Sequence, residues 1–455
     1  MHVFICALPA SGHLNPLLAI GRALQQAGHS VTVATGTAFA EQVGRAGFQF
    51  APLSYPPEKY EALLERFSQP LPRFPRLLWE RPQAGFFFYL DELTAQTAHY
   101  LRTIRPDVVL CDFNFYAGGI AAEAVGLPYA HFCAIVNPLP SRDTPTFGAN
   151  LPWRPRFHPQ RLLYPFTRLG SRLYLGLDDR AVNRVRRAYG LRPVSFPIWS
   201  PSPYLFIVPT TEAYEYPRRD LPRQAVYVGN VSHPQRGETP DPFPWEWLGQ
   251  DPRPTVYASL GTIVTLPDFF HTLIQAAQGA PWKAVLAIGR RLDPAQFDPL
   301  PPNILLRPFV PQLDLLPKVE AVVSHGGNNT VTEALLNGKP LVVIPITGDQ
   351  PESAGRVVKA GAGVRLNIRR LTPRRLRRAI DLVLTDPRYR AGAQKIRASE
   401  MNTQGLAVCV RLLERLAQEK TPLQRPHDLP PTLRTPAEVE ALKPAPHYQS
   451  SAPRR

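Results

Sequence analysis

Along the first half of the chain, apolar runs of strand length alternate with stretches of helical spacing. HVFICALP (2–9) reads as a strand, residues 14–27 follow with Leu17, Leu18 and Leu24 on one side, and SVTVAT (30–35) is the next strand. DVVLCD (107–112) and PYAHFCAI (128–135) are further strands flanking a small-residue helix over 116–126, and YLFIVPT (204–210) closes the half. Strand–helix–strand units in succession predict a parallel, doubly wound sheet. The alternation restarts at TVYASLGT (255–262). It runs through a helix over 267–279, WKAVLAI (282–288), NILLRPF (303–309), AVVS (321–324), LVVIP (341–345) and GVRL (363–366), with helices at about 373–385, 387–399 and 404–420. The fold class is α/β, with two similar doubly wound domains, 1–210 and 255–403, joined by the polar, Pro-rich stretch 211–254. From Thr421 the sequence is proline-rich with scattered charge and little periodicity, so 421–455 is expected to be disordered.

Two less regular stretches interrupt the first half. Residues 52–90 carry Tyr55, Tyr60, Phe67, Phe74, Leu77, Trp79, Phe86, Phe87, Phe88 and Tyr89, and residues 137–200 carry Trp153, Phe157, Tyr164 and Phe166. Any one of these aromatics has helical packing as its commoner explanation. Together, in long insertions between strands, they suit a lipophilic pocket.

Charge changes this picture little. The formal net charge of +16 is mostly arginine, spread through 151–192, 365–397 and the tail. No nucleic-acid motif accompanies it, so the expected partners are anionic nucleotide sugars or the surface of an anionic membrane, not nucleic acid. The four cysteines, Cys6, Cys111, Cys133 and Cys409, lack metal-ligand spacing and read as reduced core residues of a cytosolic protein. The N-terminus has no basic n-region, and no run reaches eighteen apolar residues.

The densest chemistry lies between Phe309 and Gln350. A buried strand (321–324) runs into His325-Gly326-Gly327, where glycine lets the backbone approach a ligand, and a helix follows from Asn328 to Leu336. Its N-terminus offers free N–H groups and the positive dipole end, a place for phosphate. Asp349-Gln350 lies just past the next parallel strand, where open α/β sheets bind ligands. Read locally, the alternative is a plain polar turn.

This stretch resembles the donor-binding signature of the UDP-dependent glycosyltransferases that act on small lipophilic acceptors. The matching positions are Phe309, Gln312, His325, Gly327, Asn329, Thr330, Glu333, Asp349 and Gln350, in order over about forty residues. The run Asp349-Gln350-Pro351 and SLGT (259–262) are most similar to bacterial carotenoid (zeaxanthin-type) glucosyltransferases. The resemblance implies the GT-B fold, with a cleft between two Rossmann-like domains and a last helix, here 404–420, returning to the first domain. It also implies roles. Phe309 stacks on uracil with Gln312 nearby, and Glu333 accepts from the ribose hydroxyls. His325, Gly327, Asn329 and Thr330 face the pyrophosphate, with Ser259, Gly261 and Thr262 as a second diphosphate contact. Asp349 and Gln350 bond the transferred sugar, a pair that goes with glucose. Two positions depart from the pattern: Phe309 stands where the plant branch has tryptophan, and Asn328 replaces another family tryptophan.

His13, in GHLNP (12–16), and Asp112, ending VVLCD, fall at the same edge of the first sheet. A histidine near neutral pKa can take a hydroxyl proton, and a carboxylate on its far nitrogen fixes the tautomer. Separately each reads as a capping residue; the resemblance makes them the catalytic base and its dyad aspartate. No Asp-x-Asp metal motif appears (Asp178-Asp179 is adjacent and outside the donor half), so neither metal nor cofactor is expected, and the UDP-sugar is a co-substrate. A full GxGxxG is absent, against a dinucleotide oxidoreductase. The expected function is inverting transfer of a hexose from a UDP-sugar to a lipophilic hydroxyl. Two other readings stay in view: a nucleotide-sugar 2-epimerase of the same fold, which would want several cleft carboxylates, and a nucleotide-sugar-binding protein without catalysis.

Overall fold

The computed structural model describes residues 1–55, 89–147, 153, 166, 179–194, 200–231, 243–261 and 264–445. Most of the aromatic insertions and Thr262 fall outside these residues, as do 446–455.

Seven parallel strands form the first sheet: β1 (His2–Cys6), β2 (Ser30–Gly36), β3 (Gln49–Leu53), β4 (Val108–Asp112), β5 (Tyr129–Phe132), β6 (Leu205–Val208) and β7 (Ala225–Tyr227). Their order is β3-β2-β1-β4-β5-β6-β7. Six more form the second sheet: β8 (Thr255–Ser259), β9 (Lys283–Ala287), β10 (Ile304–Arg307), β11 (Ala321–Ser324), β12 (Leu341–Val343) and β13 (Gly363–Arg365). Their order is β10-β9-β8-β11-β12-β13. Strands such as VVLCD and AVVS are buried along their whole length, because parallel sheets carry helices on both faces and leave no wet side for polar alternation. Each sheet reverses its winding direction once, at β1/β4 in the first and β8/β11 in the second. At such switch points the loops part and leave a crevice beyond the carboxyl ends of the strands.

Three boundaries differ from the expectation. The first helix begins at Ser11 rather than Leu14, so His13 sits within its first turn. Strand β7 lies inside the stretch expected to be a linker, so the first lobe runs well past residue 210. The third correction concerns the tail, where residues 421–445 are ordered, not disordered. Leu423–Gln424 pairs antiparallel with Lys443–Pro444, and Leu423, Leu433, Val439 and Leu442 are buried in the first lobe's core. Tyr227 donates its backbone N–H to Pro431 and accepts from Leu433, so the tail covers the open edge of β7. The helix Gly405–Glu419 packs against the helix Ser11–Gln26, as expected, and buries Val408, Leu412 and Leu416 in the same core. All four cysteines are buried and unpaired.

Candidate active site

The first lobe's switch point brings together a histidine and a carboxylate. His13 Nδ1 lies 2.8 Å from Asp112 Oδ2; the imidazole is one-fifth exposed and the carboxylate is fully buried. The ring N–H is not aligned on that oxygen, an arrangement that substrate commonly tightens. Asp112 is held by backbone donors, Asn114 N–H to Oδ1 at 3.0 Å and Leu8 N–H to Oδ2 at 3.3 Å. Burial alone would lower the His13 pKa. The charge and close approach of Asp112, with a further contribution from Asp349 on the other lobe, outweigh it and hold the imidazole above its ordinary value.

Opposite, two adjacent strands of the second sheet end alike. Ser259 and Ser324 are register partners across β8 and β11. Each hydroxyl accepts the N–H of the glycine two residues on, Gly261 and Gly326, both at 3.1 Å, and both glycines have positive φ, 73° and 92°. The His325 ring sits between glycines. A Cβ at Gly261 would come 2.8 Å from its Cε1, and one at Gly327 would come 2.5 Å from its Nε2. Glycine is required here so that two backbones can close on one imidazole. Burial pushes His325 down to about 4, against a backbone hydrogen bond with Ser259 that favours the charged form. Gly327 is the N-cap of the helix Asn328–Leu336, whose first turn carries Asn329 and the buried Thr330.

The remaining expected donor residues gather on this lobe, with details the sequence did not foretell. Glu333 is buried and accepts from the Gln312 side-chain amide, which in turn accepts from Tyr257 Oη at 2.9 Å. Gln350 spends its side-chain oxygen on the backbone of its own loop, accepting from Ile346 N–H at 2.8 Å and Thr347 N–H at 2.9 Å. Asp349 Oδ2 is buried without a hydrogen-bond partner. Burial raises its carboxyl above the ordinary range, against the lowering influence of His13 across the cleft. Phe309 is 44% exposed, a flat face open to a stacking partner. Arg290 lies over it at 5.6 Å and was not singled out from the sequence; its signal was Gly289-Arg290-Arg291 directly after the apolar strand β9.

The lobes meet along a charged seam. Arg356 pairs with Glu215 of the first lobe at 2.9 Å and donates to the Asn137 carbonyl at 3.1 Å. Its guanidinium lies 4.5 Å from the Tyr216 ring. Thr211 Oγ1 donates to Glu400 at 2.9 Å. Trp153 is stacked on Tyr216, with centroids 6.2 Å apart.

Two doubly wound lobes with switch points facing each other across a cleft make the GT-B architecture. The profile described as "UDP-glucoronosyl and UDP-glucosyl transferase" matches residues 189–402. 4'-Demethylrebeccamycin synthase of Lentzea aerocolonigenes is 31% identical over 437 residues, covering 91% of this chain and 99% of that protein. Zeaxanthin glucosyltransferase of Pseudescherichia vulneris is 30% identical over 378 residues, covering 80% and 86%. Among solved structures, the glycosyltransferase of kitacinnamycin superposes with a TM-score of 0.70 at 23% identity, covering 91% of this chain and 98% of that one, which shows the shared fold. The chain belongs to the UDP-glucuronosyl and UDP-glucosyl transferase family, and is an enzyme that moves a sugar from a nucleotide donor to a small-molecule acceptor. The likeness is not confined to the carotenoid branch that SLGT and Asp349-Gln350-Pro351 suggested.

Proposed function

We propose that the enzyme transfers glucose from UDP-glucose, with inversion, to a hydroxyl of a lipophilic small molecule. The observation that carries this reading is the His13–Asp112 pair at 2.8 Å, set at one switch point and facing the donor-side Asp349 from the other lobe. His13 takes the acceptor's proton as its oxygen attacks the anomeric carbon from the face opposite the diphosphate. The resulting imidazolium is stabilised by the buried carboxylate of Asp112. The UDP leaving group gains charge as the bond breaks. The N-terminus of the helix Asn328–Leu336, Thr330 and the loops at Gly261 and Gly327 receive that charge, with His325 holding them apart. Phe309 and Arg290 form the base platform, while Gln312 fixes Glu333 for the ribose. Asp349 and the Gln350 amide bond the sugar hydroxyls, and the unpartnered Asp349 oxygen is the acceptor such a hydroxyl needs.

The acceptor is a hydrophobic alcohol or phenol of natural-product size, hydroxylated carotenoids included. Supporting this are the aromatic insertions and the relatives named for such products. The exposed arginines Arg374 and Arg378, one turn apart on the helix Pro373–Thr385, suit peripheral contact with an anionic membrane holding such an acceptor. Among the described residues no helix is long and apolar enough to cross one. UDP release measured over a panel of sugar donors and lipophilic acceptors tests the reading. Glucose transfer should exceed transfer from other donors, and His13→Ala should abolish it while UDP still binds. Persistence of transfer in that variant would sink the dyad.

A further inference from the structure

The helix that carries His13 contains a proline where the chain could have had an ordinary residue. Pro16 lies inside Ser11–Gln26 and has no N–H to give to the carbonyl four residues back, that of Gly12. That carbonyl is not left empty. The side-chain amide of Asn329, in the first turn of the donor-side helix of the other lobe, donates to it at 3.3 Å. One residue earlier, Asn328 donates to the carbonyl of Ala134 at 3.1 Å, also across the cleft. Both acceptors adjoin the dyad: Gly12 precedes His13, and Ala134 lies two residues past Phe132, the register partner of Asp112.

We propose that Pro16, Asn328 and Asn329 form a clasp that closes the two lobes at the mouth of the cleft and sets the distance from His13 to the donor. The assignment rests on the transferase reading above and adds positioning residues to it. The interlobe contacts contrast in strength. The Arg356–Glu215 pair and Glu400 with Thr211 are buried and involve ionisable groups, whereas the contacts beside the dyad are two neutral hydrogen bonds, one part-buried and one exposed. Neutral bonds that water can replace are weak and reversible, which suits the end that must open for substrates to enter. Asn328, the departure from the family's tryptophan, supplies one of the two bonds through a side chain short enough to reach a backbone carbonyl. Pro16 supplies the other indirectly, by leaving its acceptor unclaimed.

Pro16→Ala and Asn328→Ala test the clasp, alone and together. Alanine at 16 restores an N–H that competes for the Gly12 carbonyl and relieves a helix-interior proline, so its melting temperature should hold or rise while kcat falls about three- to tenfold. A residue with only a structural role would move both the same way. Asn328→Ala should lower kcat similarly with UDP affinity, by calorimetry, within about twofold of wild type; Asn328→Ser, which keeps a donor, should recover part of the loss. Small-angle scattering of the free protein should show a larger radius of gyration for the double variant. An unchanged radius would overturn the clasp even while wild-type transfer stands. An opened variant beside a wild type that transfers nothing would keep the clasp and overturn the transferase reading instead. Loss of UDP affinity in parallel with kcat for Asn328→Ala would make it a donor ligand and overturn its place in the clasp.

Discussion

His13 and Asp112 approach within 2.8 Å because the strands before them, β1 and β4, are neighbours at the point where the first sheet reverses direction. One residue leaves its strand into a helix and the other ends its strand, so both side chains overhang the same crevice. The partner carboxylate is fully buried and fixed by two backbone donors, so it orients the imidazole without moving itself.

The pH profile follows from the sign of the His13 shift. As the proposed base, His13 acts unprotonated, and its pKa lies above the ordinary 6.5, so kcat/KM should rise with pH along an acid limb above that value. Asp112→Asn removes the charge that raises it and leaves the burial that lowers it. The limb should therefore move to lower pH, while kcat falls by about 10²–10⁴. A limb that stays in place would show that Asp112 does not set the histidine.

Gly327→Ala places a Cβ 2.5 Å from His325 Nε2, so the imidazole must shift from its place between the two glycines. UDP affinity should fall about five- to hundredfold, the range expected of overpacking. Gly44→Ala, in a helix with open space around it, should leave UDP binding unchanged. Calorimetric titration of both variants checks this.

Phe309→Ala should weaken UDP by about 1–3 kcal/mol, the usual value of one base–aromatic stack, and Phe309→Trp should restore it. Arg290→Ala should weaken UDP less and flatten the salt dependence of binding, since Arg290 contributes charge beside the ring. Equal affinity in Phe309→Ala would place the uracil elsewhere.

Glu400 titrates at the seam. Burial pushes it up to about 7, against the lowering hydrogen bonds from Thr211, and one oxygen lacks a partner. An unfolded glutamate ionises at about 4.3, so between about pH 4.3 and 7 the unfolded chain sheds a proton that the folded one keeps. Folding stability should therefore fall with rising pH across that window, by on the order of 3 kcal/mol. Glu400→Gln keeps the acceptor for Thr211 and should raise the melting temperature at pH 8 while changing little at pH 4. Equal effects at the two pH values would show that the carboxyl is not the source.

The gathering of the expected donor residues on one lobe was legible because their placement is local. A strand, a glycine turn and a helix N-terminus within forty residues fix where His325, Gly327 and Thr330 must lie before any long-range contact forms. The approach of His13 to Asp112 was legible for a related reason, since strand ends announce the sheet edge. Contacts set by tertiary packing stayed hidden. Nothing periodic in Ala10-Ser11-Gly12 says that a helix starts there, because the first turn is fixed by what surrounds it. Gln312, expected near the base, also donates to Glu333, a pairing across twenty-one residues that spacing does not encode. The tail misled in the opposite sense. Its prolines and charges look like an unfolded chain, yet Leu423, Leu433, Val439 and Leu442, too far apart to show a period, each find a slot in the first lobe.

That tail also bears on how the gene can be trimmed. A version stopping at residue 420 would look harmless on the sequence, since the catalytic lobes are already written. It would strip the cover from Tyr227 and its neighbours and leave a raw β margin with free amides and carbonyls, along which copies of the protein could stack. An affinity handle placed after residue 445 keeps that margin shut.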